Sequence, residues 1–329
     1  MIRLLFVIDR PGWAFDRISN ALMTYGDERP FEIIPFFLKG NQEGLADACN
    51  NADIIFFIHW SLVLRQRATL KWRLGQRRFE NQKLKTLDFV DLSKSLVGIH
   101  AHDDWDDRCS RPDLLVSPPP NLIEALAEFR AVNTVSTRLY HLFHGAGLSK
   151  LTYTPNGVDI STFNPTHPLG TGTKLKVGCT GTPKRDWNKG LTEFIQPLAE
   201  LPFIDMRLGV LDKGRRIPYS EMPEYYNNLD VYVCASASEG FSLSVLEASA
   251  SGRPVVSTRV GGSEDLIENG INGFLVDREV NAIAEKLQYF HENRDKLTDL
   301  GNAGRARIEK NWSWEIRAKA WLDFIEQNL

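Results

Sequence analysis

Short apolar runs alternate with helix-spaced patterns along nearly the whole chain. The first half offers IRLLFVID, FEIIPFF, DIIFFI, SLVGIH, AVNTVS and KLTYTP as candidate strands. A stretch loaded with Pro, Gly, Asn and Thr follows, PNGVDISTFNPTHPLGTGT, and reads as an interdomain linker. Beyond it come KLKVGCTG, FIDMRLGV, DVYVCAS, RPVVST and GFLV. Strands this continuously apolar are covered on both faces, which predicts parallel sheets flanked by helices. Three helical segments close the chain between Val280 and Leu329, and the last, SWEIRAKAWLDFIEQNL, carries its apolar residues at helical spacing. The pattern predicts an α/β architecture of two doubly wound, Rossmann-like domains facing across a cleft. Ligands of open α/β sheets bind beyond the carboxyl ends of the strands, so candidate chemistry is sought there.

Composition narrows the function classes. A length of 329 residues exceeds what one core usually serves, so two domains are expected. With 43% hydrophobic and 25% charged residues and a net charge of -3, the chain reads as soluble and globular, without a global pull toward nucleic acid. The opening IRLLFVIDR is too short for the apolar region of a signal peptide, and no apolar run has the length of a bilayer span. A cytoplasmic location is the expectation. Cys49, Cys109, Cys179 and Cys234 are too scattered to suggest a zinc site or a disulfide framework.

The richest segment is SEGFSLSVLEASASGRPVVST, Ser238 to Thr258. It follows the strand DVYVCAS and predicts a tight turn at Gly240, then a helix with Ser242 or Ser244 as N-cap and Gly252 as its stop. Amides of Gly240, Phe241 and Ser242 at such a helix start would favour a phosphate. Glu247, one to two turns in, would accept two hydroxyls of a ribose, and Glu239, on the turn, those of a sugar beyond the phosphates.

The run from Asn227 to Val276 resembles the donor-binding segment of GT4-type retaining glycosyltransferases: two glutamates separated by seven residues, then GRPVV, then a GG turn before an acidic helix. VNTVSTRLYHLF with YTPNGVDISTFNP resembles that family's crossing between domains, and WSWEIRAKAWLDF its terminal helix. The resemblance implies a GT-B fold, with an N-terminal acceptor-side domain over 1–160 and a donor-binding domain over 161–310. Residues 311–329 would form a helix returning to the first domain. It also implies that Glu247 holds the donor ribose, that Glu239 lies near the transferred sugar, and that no cofactor or metal takes part.

Other segments gain meaning beside it. VGCTGTPKRDWNKGL follows the first strand of the second domain, and Lys189 matches the lysine of the family's KG motif. Thr182 stands where the family has an arginine, so Lys184 or Arg185 must replace it; Arg185 is preferred for its two-pronged donors. Cations here would hold the charge that grows on a departing diphosphate. In the first domain, Gly12 of DRPGWAF would let backbone approach the donor phosphates or the acceptor. VGIHAHDDWDDRCS places His100 where related enzymes have a histidine near the transferred sugar, with His102 as alternative. A metal site from His100, His102 and Asp103 is the competing reading of that loop. His59, ending a strand, is assigned to the acceptor side. His141 and His144 are read as favourable charges in the last turn of a helix. Gly261, Gly262 and Ser263 form a second turn-to-helix junction, with Glu264 and Asp265 in its first turn.

Arg65 to Lys85 carries eight Lys or Arg against one Glu, with Leu70, Trp72, Leu74 and Phe79 interleaved. A solvated helix is one reading; contact with an anionic membrane, at the inner face, or with an anionic acceptor is the other. The expected partners are thus a nucleotide-sugar donor and a hydroxyl acceptor, and nucleic acid is disfavoured for lack of a binding motif. The expected activity is retaining transfer of a sugar. An epimerase on the same fold and a non-catalytic nucleotide-sugar binder are its rivals. A dehydrogenase is disfavoured because no strand is followed by Gly-x-Gly-x-x-Gly.

Overall fold

The computed structural model describes residues 1–26, 28–65, 85–101, 117–210 and 217–329. These residues divide into two compact units, one running to Asn156 and including Glu315–Leu329, the other Gly157–Trp314.

The first unit contains β1 (Ile2–Ile8), β2 (Phe31–Phe37), β3 (Ile54–Phe57), the short antiparallel pair β4 (Leu64–Arg65) and β5 (Lys85–Thr86), β6 (Ser95–Ile99), β7 (Ala131–Thr134) and β8 (Leu151–Tyr153). Six of them form a parallel sheet in the order β2-β1-β3-β6-β7-β8. Val7, Phe57, Val97 and Val132 stand in register across its centre. Helix Trp314–Glu326 packs within this unit: the buried Trp321 ring lies 6.1 Å from Phe56, and its Nε1 donates to the Pro155 carbonyl at 2.9 Å. Arg29 pairs with Asp323 at 2.8 Å and with Glu326.

The second unit contains β9 (Leu175–Gly181), β10 (Ile204–Val210), β11 (Val231–Cys234), β12 (Val255–Thr258) and β13 (Gly273–Val276), parallel in the order β10-β9-β11-β12-β13. Its core joins Val177, Val231 and Val233 to Phe194, Leu287 and Phe290. The Pro- and Gly-rich stretch is fastened to this unit along its backbone. Arg305 donates to the Phe163 carbonyl, Arg253 to that of His167 at 2.8 Å, and the Gly170 amide donates to Asp230 at 2.7 Å.

All eleven apolar runs became strands of the two sheets, FEIIPFF and GFLV to the residue. The pair β4–β5, two residues a side, has no such run to announce it. In both sheets the strand met first, β1 or β9, has the next two on opposite sides. That reversal opens a crevice at its carboxyl end, where ligands of such sheets bind.

Candidate active site

In the second unit the reversal lies between β9 and β11, and the segments leaving those strands carry the predicted residues. After β9, Thr182 accepts the Lys184 amide at 3.4 Å and starts the short turn Pro183–Arg185. The residue in the family arginine's position thus serves as a cap, and Lys184 and Arg185 stand exposed on the turn it begins. Helix Asp186–Lys189 follows and stops at Gly190, whose φ of 65° is left-handed. A Cβ at Gly190 would also lie 2.6 Å from the Phe194 ring, so glycine is required twice over.

This places the partly buried Lys189 ammonium against the Glu239 carboxylate of the turn after β11. Ser236 donates to the same carboxylate oxygen at 2.7 Å. Burial works against the charge on both groups, yet the ion pair prevails. Glu239 titrates below the usual carboxylate range, drawn down by Lys189, its bond from Ser236 and the charge of Arg185. Lys189 titrates above the usual lysine value because of Glu239. Lys189 and Arg185, predicted from one segment, and Glu239, from another, therefore share one electrostatic site.

Two residues that sequence reasoning missed lock the segments together. Asn188 is buried; its Oδ1 accepts the Ser238 amide at 2.8 Å and its carbonyl accepts the Ala237 amide at 2.7 Å. Arg278, just past β13, donates to the carbonyls of Ala235 at 3.0 Å and Trp187 at 3.1 Å while its guanidinium covers the Phe194 ring at 4.3 Å. Asn188 sits inside the lysine motif and could have been singled out there. Nothing local marks Arg278, because its partners are backbone atoms of distant segments.

Helix Leu243–Ala250 begins as expected, with Ser242 at the N-cap position, although no side chain caps it. Among the described residues, the amides of Gly240 and Phe241 make no hydrogen bond and keep their capacity for an anion. The Ser242 amide does not: it donates to the Gly261 carbonyl at 3.0 Å, because the GG turn folds back onto the helix start. The Phe241 ring is buried against Trp312, with centroids 5.7 Å apart, so only its backbone is available to a ligand. Glu247 is 7% exposed. Its Oε2 accepts the hydroxyl of Tyr226 at 2.9 Å. Burial first, and the Glu247 charge next, push the Tyr226 hydroxyl far above the usual tyrosine value, so it remains a donor.

In the first unit, Gly12 has a positive φ and open space where a side chain would go, but its amide is taken by Asp16 at 2.6 Å. Asp16 lies in the first turn of helix Ala14–Thr24 and satisfies that donor, while the space beside Gly12 stays open to an approaching group. His59, assigned to the acceptor side, is buried. Its Nδ1 accepts the Ser61 amide at 3.2 Å and caps the turn Trp60–Leu62, which leaves the ring proton on Nε2. His100 ends β6 beside the rings of Phe15 at 4.9 Å, Trp321 at 5.8 Å and His59 at 6.3 Å. Burial and the nearby His59 hold it well below the usual histidine range, so it is neutral, and its Nε2 is buried without a hydrogen-bond partner. His102, Asp103 and most of the basic stretch Arg65 to Lys85 lie outside the described residues. Among the described residues no cluster of three or more His, Cys, Asp or Glu could hold a metal ion, and no helix is long and apolar enough to cross a membrane.

Comparison with known proteins follows this geometry. Residues 214–307 match the family described as Glycosyl transferases group 1, a span that includes both glutamates and the GG turn but not Lys189. D-inositol 3-phosphate glycosyltransferase of Pseudarthrobacter chlorophenolicus is 30% identical over 217 residues, 55% of this chain and 51% of that protein. The chain spans about half, or less, of the length of the curated relatives it matches. Sucrose-phosphate synthase from Thermosynechococcus elongatus superposes with a TM-score of 0.72 at 15% identity over 99% of both chains. Anabaena HepE, solved with UDP-glucose, gives 0.66 at 16% identity over the full length of both. At these identities the two structures share the fold.

Proposed function

We propose that this chain, which belongs to the GT4-type glycosyltransferases and has the GT-B fold, moves a sugar from a nucleotide-sugar donor to an acceptor hydroxyl with retention at the anomeric carbon. The observation that carries the reading is the Lys189–Glu239 pair at the β9–β11 reversal, eight residues before Glu247 and beside the unengaged amides of Gly240 and Phe241. A partly buried cation set here would stabilise charge that grows on a departing diphosphate, which favours transfer over binding alone.

The bond from C1 of the sugar to the diphosphate loosens first. Negative charge gathers on the leaving diphosphate and is met by Lys189, Arg185 and the two amides. The acceptor oxygen bonds to C1 from the face the diphosphate leaves, and its proton passes to the departing phosphate oxygen. Glu239, held ionised by Lys189, keeps that cation at the strand edge and accepts hydroxyls of the transferred sugar. Glu247 takes the ribose. Neither carboxylate acts as nucleophile, and no divalent cation is required.

The test is a thermal-shift panel of nucleoside diphosphates and nucleotide sugars, followed by product analysis. A ligand at a hundred times its dissociation constant stabilises the fold by about 2.7 kcal/mol. The reading expects at least one nucleoside diphosphate to raise the melting temperature, and an α-linked donor to give an α-linked product by NMR. A β-linked product would remove retention. Conversion of donor alone to an epimeric sugar would make the chain an isomerase, and ligand binding with no turnover of any donor would make it a binder.

A further inference from the structure

Tyr226 is fully buried and nothing in the reading above requires it, yet its hydroxyl is spent on one oxygen of Glu247. Its ring is fixed on three sides by Phe163, Tyr225 and Tyr232, with centroids 6.0, 5.4 and 5.6 Å away. The next residue fixes the backbone: Asn227 donates to the carbonyls of Asn164 and Pro223, both at 2.9 Å, and accepts from the Thr166 amide at 2.8 Å and from Arg253 at 3.0 Å. Helix Met222–Asn227 therefore presents the hydroxyl from a rigid base. Glu247 has its own fixed place, five residues past the Ser242 N-cap, roughly 7 to 8 Å along the helix axis. That is a separation a ribose 5′-diphosphate spans from phosphate to sugar hydroxyls.

A carboxylate at 7% exposure is costly to keep unless it is hydrogen-bonded, and a neutral amide would satisfy a tyrosine hydroxyl as well. The pairing is thus better explained by what the carboxylate must do than by what the tyrosine needs. We propose that Tyr226 is a positioning residue that aims Glu247 at the ribose hydroxyls, and that this pair makes the site select ribonucleotide over 2′-deoxyribonucleotide donors. The role rests on the donor-site reading and adds to it a determinant of sugar discrimination. With Oε2 held from the interior, the carboxylate cannot rotate away when one ribose hydroxyl is missing. A 2′-deoxy ligand therefore loses a bond that the site does not replace.

The experiment measures dissociation constants of UDP, GDP and ADP and of their 2′-deoxy forms by calorimetry, for the wild type, Tyr226→Phe, Glu247→Gln and the double variant. Tyr226→Phe removes one oxygen and leaves the ring in its packing; its melting temperature is recorded alongside. The wild type should prefer the ribonucleotide by about tenfold or more, as expected for a hydrogen bond to a charged group. Tyr226→Phe should bind the ribonucleotide roughly five- to tenfold more weakly and bring the preference to within about twofold, with little change for the deoxy form. In the Glu247→Gln background, adding Tyr226→Phe should change affinity by less than about twofold, because the two residues act as one unit. A purely structural tyrosine would weaken both ligands equally and preserve the ratio, and that result overturns the proposal. Failure of the wild type to bind any of the nucleoside diphosphates would instead overturn the donor reading on which it rests.

Discussion

The carboxyl edges of the two sheets share a topology and treat their polar atoms in opposite ways. At the second unit's edge, Lys189, Glu239 and Ser236 satisfy one another, and Glu247 holds Tyr226. At the first unit's edge, Asp9 Oδ1, Trp60 Nε1, His100 Nε2 and Thr134 Oγ1 are buried without a hydrogen-bond partner among the described residues. Backbone cannot explain the contrast, since β1 lies between β2 and β3 as β9 lies between β10 and β11. The side chains make it. One edge has its charges fixed in advance, as stabilisation of a developing charge requires. The other carries buried polar atoms without a partner at a cost in stability, which a folded chain retains only where something else rewards them.

The largest effect should come from breaking the paired edge. Lys189→Met should lower donor turnover by about a hundred- to a thousandfold, as loss of comparable charge-stabilising donors does. Affinity for the nucleoside diphosphate should fall less, and near-normal turnover would hand the diphosphate to Lys184 and Arg185. The same substitution should alter the acid stability of the protein. Glu239 titrates below the usual carboxylate range in the fold, so its contribution is present above that range and lost as pH falls through the lowered value. In Lys189→Met the carboxylate keeps its burial and loses its cation, so its folded pKa rises; the stabilising contribution above the carboxylate range disappears and, once the folded value exceeds the unfolded one, ionisation costs stability as pH rises. Denaturant melts between pH 4 and pH 8 would show this as a deficit in stability relative to wild type that grows as pH rises. Coincident curves would mean that Glu239 does not depend on Lys189.

The paired edge was legible in the sequence and its opposite was not, for a physical reason. Glu239, Glu247 and Lys189 stand within motifs just after strands, so apolar periodicity points to the place and the family resemblance to the residues. Their supports, Asn188, Tyr226 and Arg278, act through backbone carbonyls or across some twenty to ninety positions of chain. Spacing along a sequence carries no trace of such contacts. The amide of Ser242 was misjudged for the same reason: it looked free until Gly261 was brought to it by folding. Buried orphans such as the Thr134 hydroxyl are least legible, since a threonine ending a strand is ordinary in sequence.

Two glycines extend the comparison to the backbone. Gly190 and Gly12 both have left-handed φ, at 65° and 73°. At Gly190 an added methyl meets the Phe194 ring at 2.6 Å, whereas at Gly12 nothing lies within 4 Å. Gly190→Ala should therefore cost about 3 kcal/mol, strain plus crowding, and Gly12→Ala about 1 kcal/mol from strain alone. Equal losses in urea unfolding would show that the loop bearing Lys189 yields as readily as the exposed one.

The smallest effect is the most direct probe of the difference between the edges, because it uses the same residue type at the end of a strand in each sheet. Thr134 closes β7 and Thr258 closes β12, and both are completely buried. The Thr258 hydroxyl donates at 2.6 Å to the carbonyl of Ser236, the residue whose own hydroxyl holds Glu239; the Thr134 hydroxyl has no hydrogen-bond partner among the described residues. Valine matches threonine in shape and lacks the hydroxyl. Thr258→Val leaves a buried carbonyl short of a donor and should destabilise by about 1 kcal/mol or more. Thr134→Val removes a polar atom that has no bond to lose, so it should leave stability unchanged or raise it by up to about 1 kcal/mol. If urea midpoints moved down equally for both variants, the Thr134 hydroxyl would be satisfied in solution by water, and the first edge would be as well paired as the second. Opposite signs would establish that the first unit keeps its orphans against stability, and the proper companion measurement is then transfer activity in Thr134→Val, where a stabilised but slower enzyme is the expected outcome.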